Sequence, residues 1–170
     1  MTTPFRLERL DTRHNVALFR SGRQSIDSYL QERAIVEQSL GLSGVTVAVD
    51  RNAPSTAPPG SIAIIGFFSL TPMSIKVAEP LLTKLGLPSV PYPSVGGFLL
   101  GRLGVQEEFQ GKHIGSALVA AAVDYAETER LGVGGAFIAL DAEEETLVPF
   151  YTRLGFERLH PGKLRMIMRI

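Results

Sequence analysis

The residues best placed to do chemistry are crowded into nine positions, "EFQGKHIGS", 108 to 116. Gln110, Gly111, Lys112, His113, Ile114, Gly115 and Ser116 stand where a strand pattern gives way to a helix pattern. The first amides of a helix have no partner within it, and its dipole adds positive potential there, so an anion is favoured at such a start. Lys112 and a protonated His113 add charge. The chemistry indicated is phosphate binding, but not by a P-loop. That motif needs four residues between its glycines and then Lys-Ser/Thr. Here six residues separate Gly104 from Gly111, and Lys112 is followed by His113. The dinucleotide pattern G-x-G-x-x-G is also absent.

The elements that must position this loop follow from periodicity. "FRLERL" alternates and predicts a first strand. In "SIDSYLQERAIVEQ" Ile26, Tyr29, Leu30 and Ala34 recur at helical spacing, which predicts an amphipathic helix. "GVTVAVD" is rich in β-branched residues and predicts a strand. "RNAPSTAPPG" is a turn-rich loop, and "SIAIIGFFSL" is expected to be one buried strand, hairpin-paired with the preceding one. "AEPLLTKLG" predicts a short helix ended by Gly86. "LPSVPYPSVGG" is expected to lack regular structure because of its three prolines.

"FLLGRLGV" is a strand in which Gly101 and Gly104 indicate a bulge or a close backbone approach. "IGSALVAAAVDYAETERLG" is the strongest helix, with Ile114, Ala117, Leu118, Ala121, Ala122 and Tyr125 as its stripe. "GAFIALDA" is a strand, "TLVPFYTRLG" a short helix capped by Gly155, and "FERLH" and "LRMIMRI" closing strands. Strands with helices between them give an α/β or α+β chain, expected to be a single domain over 1-170.

Composition narrows the function. The chain has 170 residues, 45% hydrophobic and 20% charged, as expected of a soluble globular protein. It has no cysteine, which excludes disulfides and thiolate metal sites. His14, His113 and His160 lack metal-ligand spacing, so no metal is expected. "MTTPFRLERLDTRHN" lacks an apolar signal region, and the longest apolar run, "IAIIGFFSL", is far too short to span a membrane. A cytoplasmic location is expected. Net charge is zero, so there is no global pull toward nucleic acid. Thirteen of the seventeen basic residues are arginine, the better partner for phosphate forks.

"VQEEFQGKHIGSALVAAAVDYA" resembles the acetyl-CoA-binding segment of the GNAT N-acetyltransferases, whose motif is Gln/Arg-x-x-Gly-x-Gly/Ala. Gln110 matches its first position and Gly115 its last, and His113 stands where the family has glycine. "FYTRLGF" resembles the family's Phe-Tyr-x-x-x-Gly-Phe element, which gives Tyr151 the position of its tyrosine. The resemblance implies a mixed, mostly antiparallel sheet splayed between two central strands, with helices on both faces. It implies acetyl-CoA as cofactor, its pyrophosphate on the amides of Gly111 to Ser116. The pantetheine arm would pair with the main chain of Leu103, Gly104 and Val105. Because a non-glycine residue favours ordinary φ, His113 is expected in a right-handed helical conformation.

Acetyl transfer by direct amine attack needs a polarised carbonyl and a proton for the departing sulfur. The N–H of Val105 suits the first role. A thiol with pKa about 8.5 and a tyrosine of about 10 make Tyr151 a fitting donor for the second. No residue declares itself a general base. Glu107 and Asp141 are candidates for contact with the substrate.

A closer resemblance extends over nearly the whole chain, to acetyltransferase toxins of toxin–antitoxin pairs that acetylate the amino acid on charged tRNA. "FRSGRQSIDSYL" matches their early motif through Phe19, Ser21, Gly22, Asp27 and Leu30. "GFFSL", "LPSVPYP" and "RLGV" match later ones, with Gly104 in place of an alanine. This implies charged tRNA as substrate, with Arg102 touching acceptor phosphate, a ribbon-helix-helix antitoxin as partner, and a homodimer. Two other readings stay open: acetylation of a small-molecule amine or a protein N-terminus, and a non-catalytic CoA-binding domain that serves a partner.

Overall fold

The computed structural model describes residues 3–170. They form two compact units that interleave in sequence: residues up to 69 with 102–119, and residues 70–101 with 120–170. In chain order the elements are β1 (Phe5–Arg9), β2 (His14–Asn15), α1 (Gln24–Ser28), a π-helical turn (Tyr29–Arg33), α2 (Ala34–Ser39), β3 (Gly44–Asp50), β4 (Ile62–Ala63) and β5 (Gly66–Lys76). Then come α3 (Glu79–Leu85), β6 (Ser94–Val105), a 3-10 turn (Glu107–Phe109), α4 (Ile114–Val133), β7 (Phe137–Asp141), a second 3-10 turn (Glu145–Leu147), α5 (Val148–Arg153), β8 (Glu157–Arg158) and β9 (Arg165–Arg169).

In the first unit the strand order is β1-β3-β5-β6. β1 and β3 are antiparallel, from Phe5 opposite Asp50 to Arg9 opposite Thr46. Val45, Val47 and Val49 share one face of β3 and pack with Phe19, Ile26, Leu30 and Phe67. A further parallel pair, β2 with β4, is two residues long. "SIAIIGFFSL" is therefore not one strand: its start pairs with β2, and β5 begins at Gly66 and runs on to Lys76.

The early helix shows why a plain stripe was an incomplete description. Its buried residues Ile26, Leu30, Ala34 and Gln38 are each four apart. On an ideal α-helix each such step drifts by about 40°, so three steps would carry Gln38 about 120° off the core face. The wide turn at Tyr29–Arg33, closed by the Ala34 N–H on the Tyr29 carbonyl, takes up the drift. Gln38 then faces inward: its Nε2 donates to the Leu10 carbonyl at 2.7 Å, and its Oε1 accepts the Val45 N–H at 3.0 Å. Helix end and sheet edge are thus tied by one buried amide.

The second unit has the order β5-β6-β7-β9-β8. β6 and β7 are parallel from Phe98–Ile138 to Leu100–Leu140, while β7–β9 and β8–β9 are antiparallel. The fold is the expected mixed α/β one, antiparallel in three of the five ladders described. α3 ends as expected at Gly86, left-handed with φ 59°. The segment "LPSVPYPSVGG" becomes regular immediately after Pro93. Ser94, Val95, Gly96 and Gly97 open β6, and Gly97 is needed because a Cβ there would lie 2.6 Å from Phe137. "FERLH" contributes only the two residues of β8.

α4 is a single 20-residue helix. Ile114, Leu118, Val119, Ala122 and Ala126 are its buried positions, and Tyr125, expected in the stripe, is 43% exposed. No helix among the described residues is long and apolar enough to cross a membrane.

Candidate functional site

The loop expected to seat an anion lies in the first unit. The Ala117 N–H is bonded to the His113 carbonyl at 3.1 Å, which makes His113 the capping residue of α4. By helix geometry the amides of Ile114, Gly115 and Ser116 therefore have no acceptor within α4. Two left-handed residues bracket Lys112: Gly111 at φ 74° and His113 at φ 61°. His113 is the one non-glycine residue with positive φ among the described residues. The expectation of an ordinary helical φ is corrected. The loop keeps the left-handed turn that a glycine would favour and imposes it on a histidine, at a cost of about 1–2 kcal/mol. Alternating backbone hand of this kind turns successive N–H groups toward one point, which forms a nest for an anion.

The side chains of the loop do not all face that point. Lys112 Nζ folds back, donating to the Glu108 carbonyl at 3.0 Å and lying 5.2 Å from the centre of the Phe109 ring. Gln110 Nε2 donates to two carbonyls, Ser21 at 2.7 Å and Val105 at 2.9 Å. Its amide braces the loop. The main chain adds to the brace: Glu107 N–H donates to the Arg20 carbonyl and Gln106 N–H to the Ile65 carbonyl, both at 2.8 Å. The side-chain oxygen of Gln106 accepts the Arg20 N–H at 2.8 Å. Glu107 sets its carboxylate 3.0 Å from where a Cβ on Gly22 would be.

The early motif is the other half of this brace. Asp27 Oδ1 accepts both the N–H and the hydroxyl of Ser21, at 2.8 and 2.6 Å. Gly22 turns left-handed at φ 85°. Phe19 is buried, edge-on to Phe67 at 5.4 Å, and its carbonyl accepts Gln31 Nε2 at 2.9 Å. Phe19, Ser21, Gly22, Asp27 and Leu30 thus form one folded device: two core anchors, a turn and its carboxylate clasp.

Gly104 is explained by packing. A Cβ there would lie 2.6 Å from Ile26 Cγ2 and 3.0 Å from Phe67 Cε1. Of the two explanations for glycine in this strand, close approach is the one observed at Gly104; β6 runs unbroken through Gly101 and Gly104. Leu103 is half-buried and Val105 buried beside it. The exposed Arg102 lays its guanidinium 5.5 Å from the centre of the Tyr29 ring, and Arg33 lies 5.7 Å from the same centre. Cations are attracted to an aromatic face at such distances, and Arg33 is held as well by its ion pair with Glu37.

Tyr151 and Asp141 belong to the second unit. Tyr151 stands on α5, half-buried, edge-on to Phe150 at 5.0 Å and to Phe156 at 6.2 Å. Its carbonyl accepts the Leu154 and Phe156 N–H groups, which close the helix at Gly155. Asp141 holds Arg165 in a two-point ion pair across the β7–β9 ladder, at 2.5 and 2.7 Å. Its carboxylate is engaged by this cation. A separate, largely apolar cavity of about 670 Å³ in this unit, bordered by Met73, Tyr92, Phe98, Arg130 and Val133, takes in none of the expected site residues.

Sequence reasoning missed the bracing glutamines, Gln106, Gln31 and Gln38. The four-residue spacing that carries Ile26, Leu30 and Ala34 onward to Gln38 was the available signal. It also missed a cluster at the start of the chain. The His14 side chain is fully buried, its Nδ1 accepting the Asp11 N–H at 2.9 Å, which puts the ring proton on Nε2, 2.7 Å from Glu8. Arg13 pairs with Asp11 at 2.6 Å and with Glu8 at 3.5 Å.

Comparison with known proteins gives these features a context. Residues 62–158 match the acetyltransferase (GNAT) domain family. A tRNA-acetylating toxin of Mycobacterium tuberculosis (strain ATCC 25618 / H37Rv) is 29% identical over 150 residues, 88% of this chain and 82% of that protein. Among solved structures, AtaT complexed with acetyl-methionyl-tRNAfMet superposes with TM-score 0.80 at 19% identity, covering 97% of this chain and 94% of that one. AtaTR bound with AcCoA superposes with TM-score 0.81 at 20% identity, covering 99% and 95%.

Proposed function

We propose, on the premise that this chain belongs to the GNAT acetyltransferase family, that it acetylates the α-amino group of aminoacyl-tRNA and acts as the toxin of a toxin–antitoxin pair. The observation that carries this is the match to a tRNA-acetylating toxin over 88% of the chain, well beyond the cofactor loop alone. As a member of the family the protein is an acetyl-CoA-dependent acyltransferase.

The residues present suit acetyl-CoA. The left-handed pair Gly111 and His113 and the open start of a 20-residue helix fit a pyrophosphate. When bound, acetyl-CoA supplies an acetyl group on a thioester, from which an amine displaces the thiol. In this reading the amides from Gly111 to Ser116 hold the phosphates, and Leu103, Gly104 and Val105 offer main-chain groups to the arm. The Val105 N–H polarises the carbonyl. Tyr151 Oη gives its proton to the departing sulfur, since a phenol of ordinary pKa about 10 can protonate a thiolate whose thiol titrates near 8.5. The acceptor amine needs no strong base, because an α-amino group titrates at about 7.7–8.0 and is partly neutral near pH 7. Gln110 supports the seat from behind.

The same reading makes residues 1-170 one catalytic domain in the cytoplasm, with a homodimer as its working form and a ribbon-helix-helix antitoxin as its partner. Arg102 is the contact for acceptor phosphate. Glu107, beside Gly22, borders the acceptor, and Asp141 orders its neighbourhood through Arg165. One observation favours a second reading, in which the acceptor is a small-molecule amine or a protein N-terminus: the formal net charge is zero, whereas affinity for nucleic acid rests on positive surface.

Expression in a bacterium separates these readings. The toxin reading expects growth arrest that Tyr151→Phe relieves. Normal growth at high levels of active protein contradicts it, and arrest that persists in Tyr151→Phe points to a binding role without catalysis.

A further inference from the structure

The side chain of Gln110 faces away from the anion seat and holds two segments together. One is the end of β6, through the Val105 carbonyl, and the other is the turn at Ser21. Gln106 repeats the link one helical turn earlier, accepting the Arg20 N–H. The Glu107 N–H closes it on the Arg20 carbonyl. The turn is joined in its own right to α1, where Asp27 grips Ser21 by two bonds, and to the following π-helical turn, where Gln31 holds the Phe19 carbonyl. Next to Gln110 stands Gly111, left-handed and with open space around its Cβ position, the residue most free to adjust when an anion arrives.

We infer that Gln110 is a positioning residue that couples the cofactor loop to the turn Phe19–Arg23, so that coenzyme A, once bound, orders that turn and the start of α1. The inference rests on the acetyltransferase reading. The coupling needs donors at position 110, because both partners are carbonyl oxygens and the bridging Nε2 gives a proton to each. A carboxylate of the same size has none and sets lone pairs against lone pairs. A guanidinium has several in a fixed fork and can serve both carbonyls. A side chain that merely fills space would not make this distinction.

On the same acetyltransferase reading, in which Glu107 beside Gly22 borders the acceptor, the ordered turn is part of the surface offered to it. Ligands linked through a shared element bind with reciprocal gains, typically about 5-fold or more. Acceptor binding therefore strengthens coenzyme A binding by the same factor, and Gln110 carries that factor although it touches neither ligand.

Hydrogen exchange tests this on the full chain, with coenzyme A as the probe and its saturation verified for each variant by calorimetry. In the wild type, coenzyme A slows exchange in the peptide covering residues 19–28. Gln110→Arg keeps that protection, and Gln110→Glu loses it while coenzyme A is bound. Gln106→Met, which removes only the acceptor for the Arg20 N–H, weakens it and provides the comparison if Gln110→Glu does not fold. Undiminished protection in Gln110→Glu or in Gln106→Met, or a wild type that binds coenzyme A without protection, overturns the coupling and leaves the acetyltransferase reading standing. A wild type that binds no coenzyme A overturns both.

Discussion

Ser21 is clasped by Asp27: one carboxylate oxygen accepts both its hydroxyl at 2.6 Å and its N–H at 2.8 Å. Bonds to a charged acceptor contribute about 1.5–3 kcal/mol. Asp27→Ala is expected to lower unfolding stability by that amount, and Asp27→Asn, which keeps a carbonyl acceptor, by less. Urea unfolding of the three proteins checks the order. Equal stability of Asp27→Ala and the wild type would mean that the clasp is ornamental.

Gly104 is held small by its neighbours. An alanine in a strand interior is ordinarily preferred over glycine by about 0.5–1 kcal/mol. Here its Cβ would press to 2.6 Å from Ile26, and overpacking of this kind costs about 1–3 kcal/mol. Gly104→Ala should therefore destabilise, and Gly104→Ala combined with Ile26→Leu, which has no branch at Cβ and so no Cγ2 to meet the new methyl group, should recover part of the loss. A stabilised single variant would show that the site has room.

His113 carries left-handed strain of about 1–2 kcal/mol, and glycine there adds back about 0.5–1 kcal/mol of backbone freedom lost on folding. His113→Gly is expected to stabilise by about 1 kcal/mol or less. His113→Val, branched at Cβ, is expected to destabilise. The thermal midpoints of the pair check the sign. If valine is tolerated as well as glycine, the turn is not left-handed in solution.

The cluster at the N-terminal strand gives a dependence on acid. Burial raises the pKa of Glu8, but the hydrogen bonds from His14 and Arg6 and the charges of Arg13 and Arg6 outweigh it, and the net shift is downward from 4.5. The hydrogen bond from Arg13 moves Asp11 downward from 3.8 against its desolvation. Carboxyls with depressed folded values stabilise fully above the unfolded values, and the contribution is lost as pH falls through the folded ones. Stability should thus be flat from pH 7 to about 5 on this account and fall below about 4.5. Glu8→Gln should be less stable at pH 7 and fall less steeply in acid. Thermal midpoints between pH 3 and 7 decide, and parallel curves for the two proteins would remove Glu8 from the account.

Much of this was legible in the sequence because the signals are local. Gly86 and Gly155 end their helices as glycine does. The start of α4 was legible at "QGKHIG", since a strand pattern running into a helix pattern fixes where unpaired amides lie. What was not legible depends on distant neighbours. The reason for Gly104 lies in Ile26 and Phe67. The division of "SIAIIGFFSL" depends on the pairing of Ile62 with His14, and the strand at Ser94–Gly97 on the Phe137 ring packed against Gly97. His113 failed for a different reason. Residue type argued for one backbone hand, and the loop, closed by Gln110 and by the start of α4, imposed the other.

The central claim, acetyl transfer to charged tRNA, is tested most directly by following thiol release from acetyl-CoA with aminoacyl-tRNA beside a panel of free amines and N-terminal peptides. The account predicts rapid release with aminoacyl-tRNA, slow release with free amines, and loss of the rapid reaction in Tyr151→Phe. Release that is faster with a free amine or peptide than with aminoacyl-tRNA, or unchanged in Tyr151→Phe, would contradict it.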